Sequence, residues 1–369
     1  RLVAPLTFAT LTGNPVAVEQ FRRGDEEERL PHITLRQWAE VLVICPATAD
    51  LLAKCARGIA DDLLTTTYLS CSRIPVIFAP AMNPEMWAHP AVQENIAIVR
   101  DGHGQRIVGP ASGGSACGET GEGRLAPLAA VEDVLRAVLY RTEPDFGGRR
   151  VVITAGPTQE PLDGVRVLTN RSSGKMGYAL ARAAAARGAE VVLVSGPVAL
   201  PAPHGVRLVR VQTAAEMLAA TLAAVRGGDL VIGAAAVADY RPAAAAAGKP
   251  AKTAGGQAVV LQATDDIIAA VAATGRPAAT VGFCAVTDHV AEQSREKLQR
   301  KRLTAIAGND VSRGDRGIEA DDNQLVWITP AAEETSPVMP KVALAHWLLD
   351  HCLPLLTGTP PADRRRAKK

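Results

Sequence analysis

Runs that are apolar throughout alternate along this chain with runs that are apolar on one side only. Residues 39–46 (AEVLVICP) and 75–80 (PVIFAP) read as buried strands, with a helix over residues 49–70 between them. Strands apolar on both faces and separated by helices predict a parallel sheet covered on both sides. Residues 128–140 predict a further amphipathic helix, and residues 141–147 (RTEPDFG) have the turn residues and charge of a linker. The alternation then resumes, with strands predicted at 150–155, 190–195, 206–211 and 229–236 and helices at 174–187, 214–226 and 290–302. This is a doubly wound α/β pattern, in which ligands gather beyond the carboxyl ends of the strands. Residues 242–256, rich in Ala, Gly and Pro at irregular spacing, read as a mobile loop.

At 369 residues the chain is long enough for two such domains, expected at 1–140 and 148–369. A net charge of +2 gives no support to a nucleic-acid partner, and the basic run at Arg364, Arg365, Arg366, Lys368 and Lys369 reads as a solvated tail. No apolar stretch is long enough to span a membrane. Six cysteines are scattered without a CxxC pair or zinc-ligand spacing, which predicts a reducing, cytoplasmic setting. Cys45, Cys55, Cys71, Cys284 and Cys352 lie in or beside apolar runs and are expected in the core, whereas Cys117 sits among glycines in a loop.

The most informative stretch is residues 151–177, VVITAGPTQEPLDGVRVLTNRSSGKMG. It begins as a buried strand and ends at a helix start. Asn170, Ser172, Ser173, Gly174 and Lys175 place an amide, hydroxyls, a flexible backbone and a cation where helix N–H groups lack partners. Such a start attracts phosphate, although the same residues also serve as an ordinary helix cap. It is not a Walker A motif, because the first glycine and its spacing are absent. Further along come Asp239 and Arg241 in GAAAVADYRP, Lys249 and Lys252 on the loop, and Phe283 in VGF. Lys297 and Lys301 follow, four apart on one helix face, and then Asn309, Asp310 and Val311.

In this order the segments resemble the CTP-dependent phosphopantothenate–cysteine ligases over residues 149–330. The resemblance implies an amide ligase that uses CTP and Mg²⁺ to turn 4'-phosphopantothenate into an acyl-cytidylate, which cysteine then attacks. It assigns Asn170 to that intermediate and Lys249 to triphosphate cleavage. Gly233, Ala234, Ala235, Asp239, Asp265, Asp266, Ile267, Ile268, Phe283, Lys297 and Lys301 line the nucleotide site. Ser172, Ser173, Gly174 and Lys175 meet phosphate or substrate. The sequence departs from the family's pattern in having Lys249-Pro250-Ala251-Lys252 for a three-lysine loop, Thr264-Asp265-Asp266 for Asn-Pro-Asp, and Val286 for a glutamate. A lost preorganised charge costs about 10²–10³ in rate where it acts on the transition state.

In the first half, PHITLRQWAE (31–40), CPATAD (45–50), PAMNPEMW (80–87) and GGSACGETGEGR (113–124) resemble the flavin-dependent cysteine decarboxylases over residues 1–127. The chain is thus identified as a member of the bifunctional phosphopantothenoylcysteine decarboxylase/phosphopantothenate–cysteine ligase family. Its expected fold is two Rossmann-like domains, the first flavodoxin-like. The resemblance makes His32 the catalytic histidine, Asn83 the grip on the substrate carboxylate and Cys117 the proton donor, with Pro46, Ala47, Thr48 and Met82 against FMN. It also implies a homo-oligomer, with trimeric flavin domains and dimeric ligase domains forming a dodecamer. The family begins with a strand, a Gly-rich turn and a helix ahead of the segment matching RLVAPLTF, so the sequence reads as entering its first domain partway through. Weakened FMN binding and assembly are the expected consequence. Two other readings stay open: a ligase whose flavin domain serves only assembly, and a non-enzymatic regulatory subunit. The acidic tail expected of the latter is absent. An NAD-binding protein is disfavoured by the lack of a GxGxxG turn.

Overall fold

In the computed structural model, described over residues 3–20, 30–114, 120–139, 145–227, 229–244, 248, 258–312 and 319–357, the chain divides into two units, Arg1–Leu139 and Tyr140–Lys369.

The first unit runs α1 (Pro5–Thr12), α2 (Pro31–Trp38), β1 (Leu42–Ala47), α3 (Ala49–Arg57), α4 (Leu63–Ser70), β2 (Val76–Pro80), α5 (Pro84–Ala88) and α6 (Pro90–Ala97). It continues with β3 (Arg106–Ile107), a ribbon of β4 (Ala111–Gly114) and β5 (Thr120–Arg124), and α7 (Leu128–Leu139). The strands β1, β2 and β3 pair in parallel in that order. Alternate residues of β2 feed opposite faces. Val76 and Phe78 join Ile44, Leu52, Ile96 and Val99 in one cluster, while Ile77 and Ala79 meet Val131 and Val138 of α7 in another. That is why β2 is apolar at every position.

Two expectations fail here. The single helix over residues 49–70 is two helices. Gly58 closes α3 in the left-handed conformation (φ 72°), and Asp62 opens α4 in a capping box with Thr65. Caps of both kinds satisfy orphan backbone groups locally, so a break costs little where they coincide. Cys45 is exposed, because the pairing register of β1 slips between Ile44 and Ala47 and turns Cys45 and Pro46 outward.

The second unit opens with β6 (Arg150–Ala155), a ribbon of β7 (Gln159–Pro161) and β8 (Val167–Thr169), α8 (Lys175–Ala186), β9 (Glu190–Ser195), β10 (Val206–Arg210) and α9 (Ala214–Ala224). Then come β11 (Leu230–Gly233), the ribbon β12 (Tyr240–Pro242) and β13 (Leu261–Ala263), α10 (Ile267–Ala273), β14 (Ala279–Val286), α11 (Val290–Arg300) and β15 (Ala305–Asp310). Last are β16 (Asp322–Asn323), β17 (Val326–Ile328), β18 (Glu333–Thr335), β19 (Met339–Pro340) and α12 (Lys341–Thr357). One eight-stranded sheet, ordered β10-β9-β6-β11-β14-β15-β17-β18, forms the centre. It is parallel from β10 to β15, and β17 and β18 add an antiparallel edge that the hydrophobic pattern does not announce.

Helices α8 and α12 cover one face through Leu180, Leu344 and Leu348. Met217 of α9 and Val271 of α10 cover the other, where Leu298 of α11 packs on Ile306. The chain winds outward from β6 in one direction and from β11 in the other. The carboxyl ends of these two neighbours are therefore the topological switch point, where a crevice opens.

Candidate active site

A cavity of about 600 Å³ occupies that crevice, a size suited to a nucleotide or a small substrate. Along one rim lies the linker from β8 to α8. Asn170 donates from Nδ2 to the Val237 carbonyl (2.8 Å), which ties this linker to the segment after β11. Ser172 Oγ accepts from the Gly174 N–H (3.3 Å) and Ser173 Oγ from the Lys175 N–H (3.4 Å), so both hydroxyls sit at the start of α8. Gly174 there has φ 72°, and an added Cβ would lie 2.8 Å from Val198 Cγ1. No other residue fits without displacement. Lys175 reaches across to the Glu319 carbonyl (2.9 Å) and Asp321 Oδ1 (2.7 Å).

The floor is the end of β11. Gly233 stands opposite Thr154 in the sheet, and Ala234 and Ala235 donate backbone N–H groups to the Thr154 carbonyl and hydroxyl. Asp239 follows on the surface, lining the cavity with the adjacent Asp265 and Asp266. Asp266 does two things: it caps α10, accepting from the Ala269 N–H (3.2 Å), and it pairs with Lys301 at 2.6 Å. Ile267 is buried beneath that cap and Ile268 closes over Gly233. On the far side Lys297 donates to the Phe283 carbonyl (3.0 Å). Burial holds the Lys297 ammonium below its usual pKa, and a phosphate charge arriving beside it favours the charged form.

The residues that the resemblance assigns to the ligase site meet in one cavity, except Lys249, which with Lys252 lies outside the described residues; Arg241, Asp310 and Val311 do not line it. Sequence reasoning missed Asn323 and Lys341 in the same lining, and it noted Asn309 without assigning it a place. No local signal marks Asn323 and Lys341, because an edge ribbon and the first turn of α12 bring them in.

In the first unit, Ala47 and Met82 share one apolar cluster at the ends of β1 and β2. Pro46 precedes that ledge, and Thr48 caps α3 by accepting from the Leu51 N–H (3.2 Å). Met82 donates its N–H to the Gly123 carbonyl (2.9 Å), and a Cβ on Gly123 would strike the Met82 carbonyl at 2.5 Å. The ribbon therefore closes directly over the PAMN turn. Asn83 caps α5 through the Glu85 N–H (2.8 Å). His32 lies on α2, packed against α4, and its Nδ1 is buried with no hydrogen-bond partner. Cys117 lies outside the described residues.

An apolar ledge beyond strand ends with a hydroxyl at a helix start fits a planar ring with a polar tail. For a divalent ion, no cluster of three or more His, Cys, Asp or Glu side chains exists among the described residues. The exposed carboxylate of Asp239, on the cavity lining with Asp265 and Asp266, fits a divalent ion held mostly by phosphate oxygens. No helix among the described residues is long and apolar enough to cross a membrane.

Residues 1–140 match the family described as flavoprotein, and residues 146–355 match the DNA/pantothenate metabolism flavoprotein C-terminal domain. Fold and site together define a two-unit flavoprotein of pantothenate metabolism. The coenzyme A biosynthesis bifunctional protein CoaBC of Vibrio vulnificus strain YJ016 is 41% identical over 95% of this chain and 86% of its own length. Its counterpart in Escherichia coli K12 is 42% identical over 94% of this chain and 86% of its own. A crystal structure of the C-terminal domain of a CoaBC protein superposes with a TM-score of 0.51 at 35% identity, covering 59% of this chain and 100% of that one. The chain belongs to the CoaBC family of bifunctional coenzyme A biosynthesis proteins.

Proposed function

We propose that the second unit joins 4'-phosphopantothenate to cysteine at the expense of CTP, and that the first decarboxylates the product to 4'-phosphopantetheine. The observation carrying this reading is the single cavity that unites the phosphate-seeking start of α8 with the lysines of α11. A substrate carboxylate oxygen attacks the α-phosphorus of CTP, forming a C(O)–O–P bond and expelling pyrophosphate. The amine of cysteine then attacks the acyl carbon, the acyl C–O bond breaks, and CMP leaves. Lys297, Lys301 and the α8 start hold phosphate charge through both steps, since preorganised donors in a confined site need no reorganisation. Asn170, tethered to Val237, positions the acyl-cytidylate. Asp239 would help to hold the Mg²⁺ that accompanies the triphosphate, and the ion would supply charge neutralisation there. Lys249 serves triphosphate cleavage.

In the first unit FMN, when bound, supplies the oxidation of the substrate thiol and the returning hydride. Pro46, Ala47, Thr48 and Met82 would lie against the flavin. Asn83 donates to the departing carboxylate, His32 acts at the substrate, and Cys117 returns a proton. We further propose a cytoplasmic homo-oligomer with paired ligase units.

The test is pyrophosphate release from the purified chain with CTP, Mg²⁺, 4'-phosphopantothenate and cysteine, with the visible spectrum recorded on the same sample. Release that depends on substrate and falls in Asn170→Ala supports the ligase. No release from folded protein refutes it. A flavin band supports the decarboxylase, and its absence alongside release favours the ligase-only reading.

A further inference from the structure

The assigned nucleotide residues do not account for the whole cavity lining. Asp266, Lys297 and Lys301 lie on the α10–α11 side. The lining also takes in the end of β15 (Asn309), β16 (Asn323) and the first residue of α12, Lys341. Three backbone features bring these together. Asn309 follows Gly308, which pairs with Val326; Asn323 pairs with Met339; and the Lys341 N–H donates to the Asp321 carbonyl.

Asn309 and Asn323 each bury a side-chain Oδ1 that has no hydrogen-bond donor, and Asn323 is only 2% exposed. An unmet buried acceptor costs about 1–3 kcal/mol, and native interiors keep few of them. Two on one cavity lining describe a place where a ligand brings hydrogen-bond donors, N–H or O–H. Phosphate and triphosphate cannot do so, because they offer acceptors. The same lining also carries cations. Lys341 is 5% exposed and donates from Nζ to the Ala320 carbonyl, with Lys175 beside it, held by Asp321. A ligand with an ammonium group and a carboxylate on one carbon complements all three side chains at once.

Resting on the ligase reading, we propose that Asn309, Asn323 and Lys341 form the subsite of the amino-acid acceptor. The two amide oxygens take the α-ammonium and the Lys341 ammonium takes the α-carboxylate. Burial, with the Lys175 charge, lowers the Lys341 pKa to about 8 in the ligand-free site, and a bound carboxylate reverses that shift. The α-ammonium gives one proton to solvent before attack. The second leaves the nitrogen as the C–N bond forms and CMP departs. The acceptor is thus held by its two constant groups, while the thiol takes no part in the bond being made.

The experiment compares cysteine with cysteamine, which keeps the amine and lacks the carboxylate, in the intact 369-residue chain. The readout is the ratio of the two kcat/KM values, which is independent of the fraction of folded enzyme. Wild-type protein is expected to favour cysteine, and Lys341→Met to lower the ratio by about tenfold or more, as for a lost hydrogen bond to a charged group. Asn323→Ala should depress both amines by a common factor and raise their KM, leaving that for CTP in place. Asn309→Ala provides a second, less buried version of the same test. An unchanged ratio in Lys341→Met overturns the proposal, as does a rise confined to the KM for CTP in the asparagine variants. A wild-type chain that releases no pyrophosphate would instead bring down the ligase reading on which the proposal rests.

Discussion

Replacing Gly174 by alanine should damage the second unit in two separable ways. The residue has φ 72°, where a side chain costs about 1–2 kcal/mol. Its new Cβ would also meet Val198 Cγ1 at 2.8 Å, well inside the 3.5–4.0 Å or so of an unstrained carbon contact. Val198 packs against the main core and cannot retreat freely, so overpacking adds about 1–3 kcal/mol. A total loss of about 2–5 kcal/mol corresponds to a fall in melting temperature of roughly 4–20 °C for a unit of this size. Relief comes by moving the α8 start, which shifts Ser172, Ser173 and Lys175 away from the cavity, and a displacement near 1 Å costs about 10²-fold in rate. Thermal melts and pyrophosphate release should be read on Gly174→Ala, Val198→Ala and the double variant. The contact predicts a coupling of about 1 kcal/mol or more between the two sites, with the backbone cost surviving in the double variant. A Gly174→Ala melt within about 1 °C of wild type would refute the reasoning.

Lys297→Met should lower the rate of pyrophosphate release by about 10²–10³ without lowering the melting temperature, since burial already works against this ammonium; steady-state kinetics beside a melt check both. Arg187 is fully buried between Asp145 (2.6 Å) and Asp350 (2.9 Å) and lies over the Phe146 ring. Arg187→Met should destabilise the unit by about 3 kcal/mol, the low end for a broken buried pair because both carboxylates keep some solvent; urea unfolding measures it. Burial and the Arg187 charge lower the His346 pKa to about 4. Below about pH 6.5 the unfolded chain binds a proton that the native one refuses, so stability should fall between pH 6.5 and 4 by up to about 3 kcal/mol. His346→Gln should flatten that part of the urea-midpoint profile, and an unaltered profile would contradict the assignment.

Much of the fold is legible in the sequence because hydrophobic period and strand polarity are local. Residues 151–153 and 191–194 are apolar throughout, and the strands they centre, β6 and β9, have six and five buried positions. The two-domain α/β pattern follows from the same alternation. Residues 170–175 are conspicuous because hydroxyls, glycine and lysine at a helix start form a short-range motif. Elsewhere local reading fails for a physical reason. Gly58 and Asp62 each look tolerable inside a helix, and only their joint capping geometry breaks residues 49–70 in two. The outward turn of Cys45 depends on a slip in pairing with β2, which its own neighbours do not encode.

The sequence by itself determined the strands β1, β2, β6, β9, β10 and β11 and the start of α8, and so which side chains stand at those strand ends with phosphate chemistry. Only the tertiary structure decided that Asn170, Asp239, Phe283, Lys297 and Lys301 line one cavity, and that Asn323 and Lys341 complete its lining. Strand order and ribbon pairing are long-range choices, set by which apolar faces can be buried together. A lining assembled from β15, β16 and α12 therefore has no counterpart in any contiguous stretch of the chain.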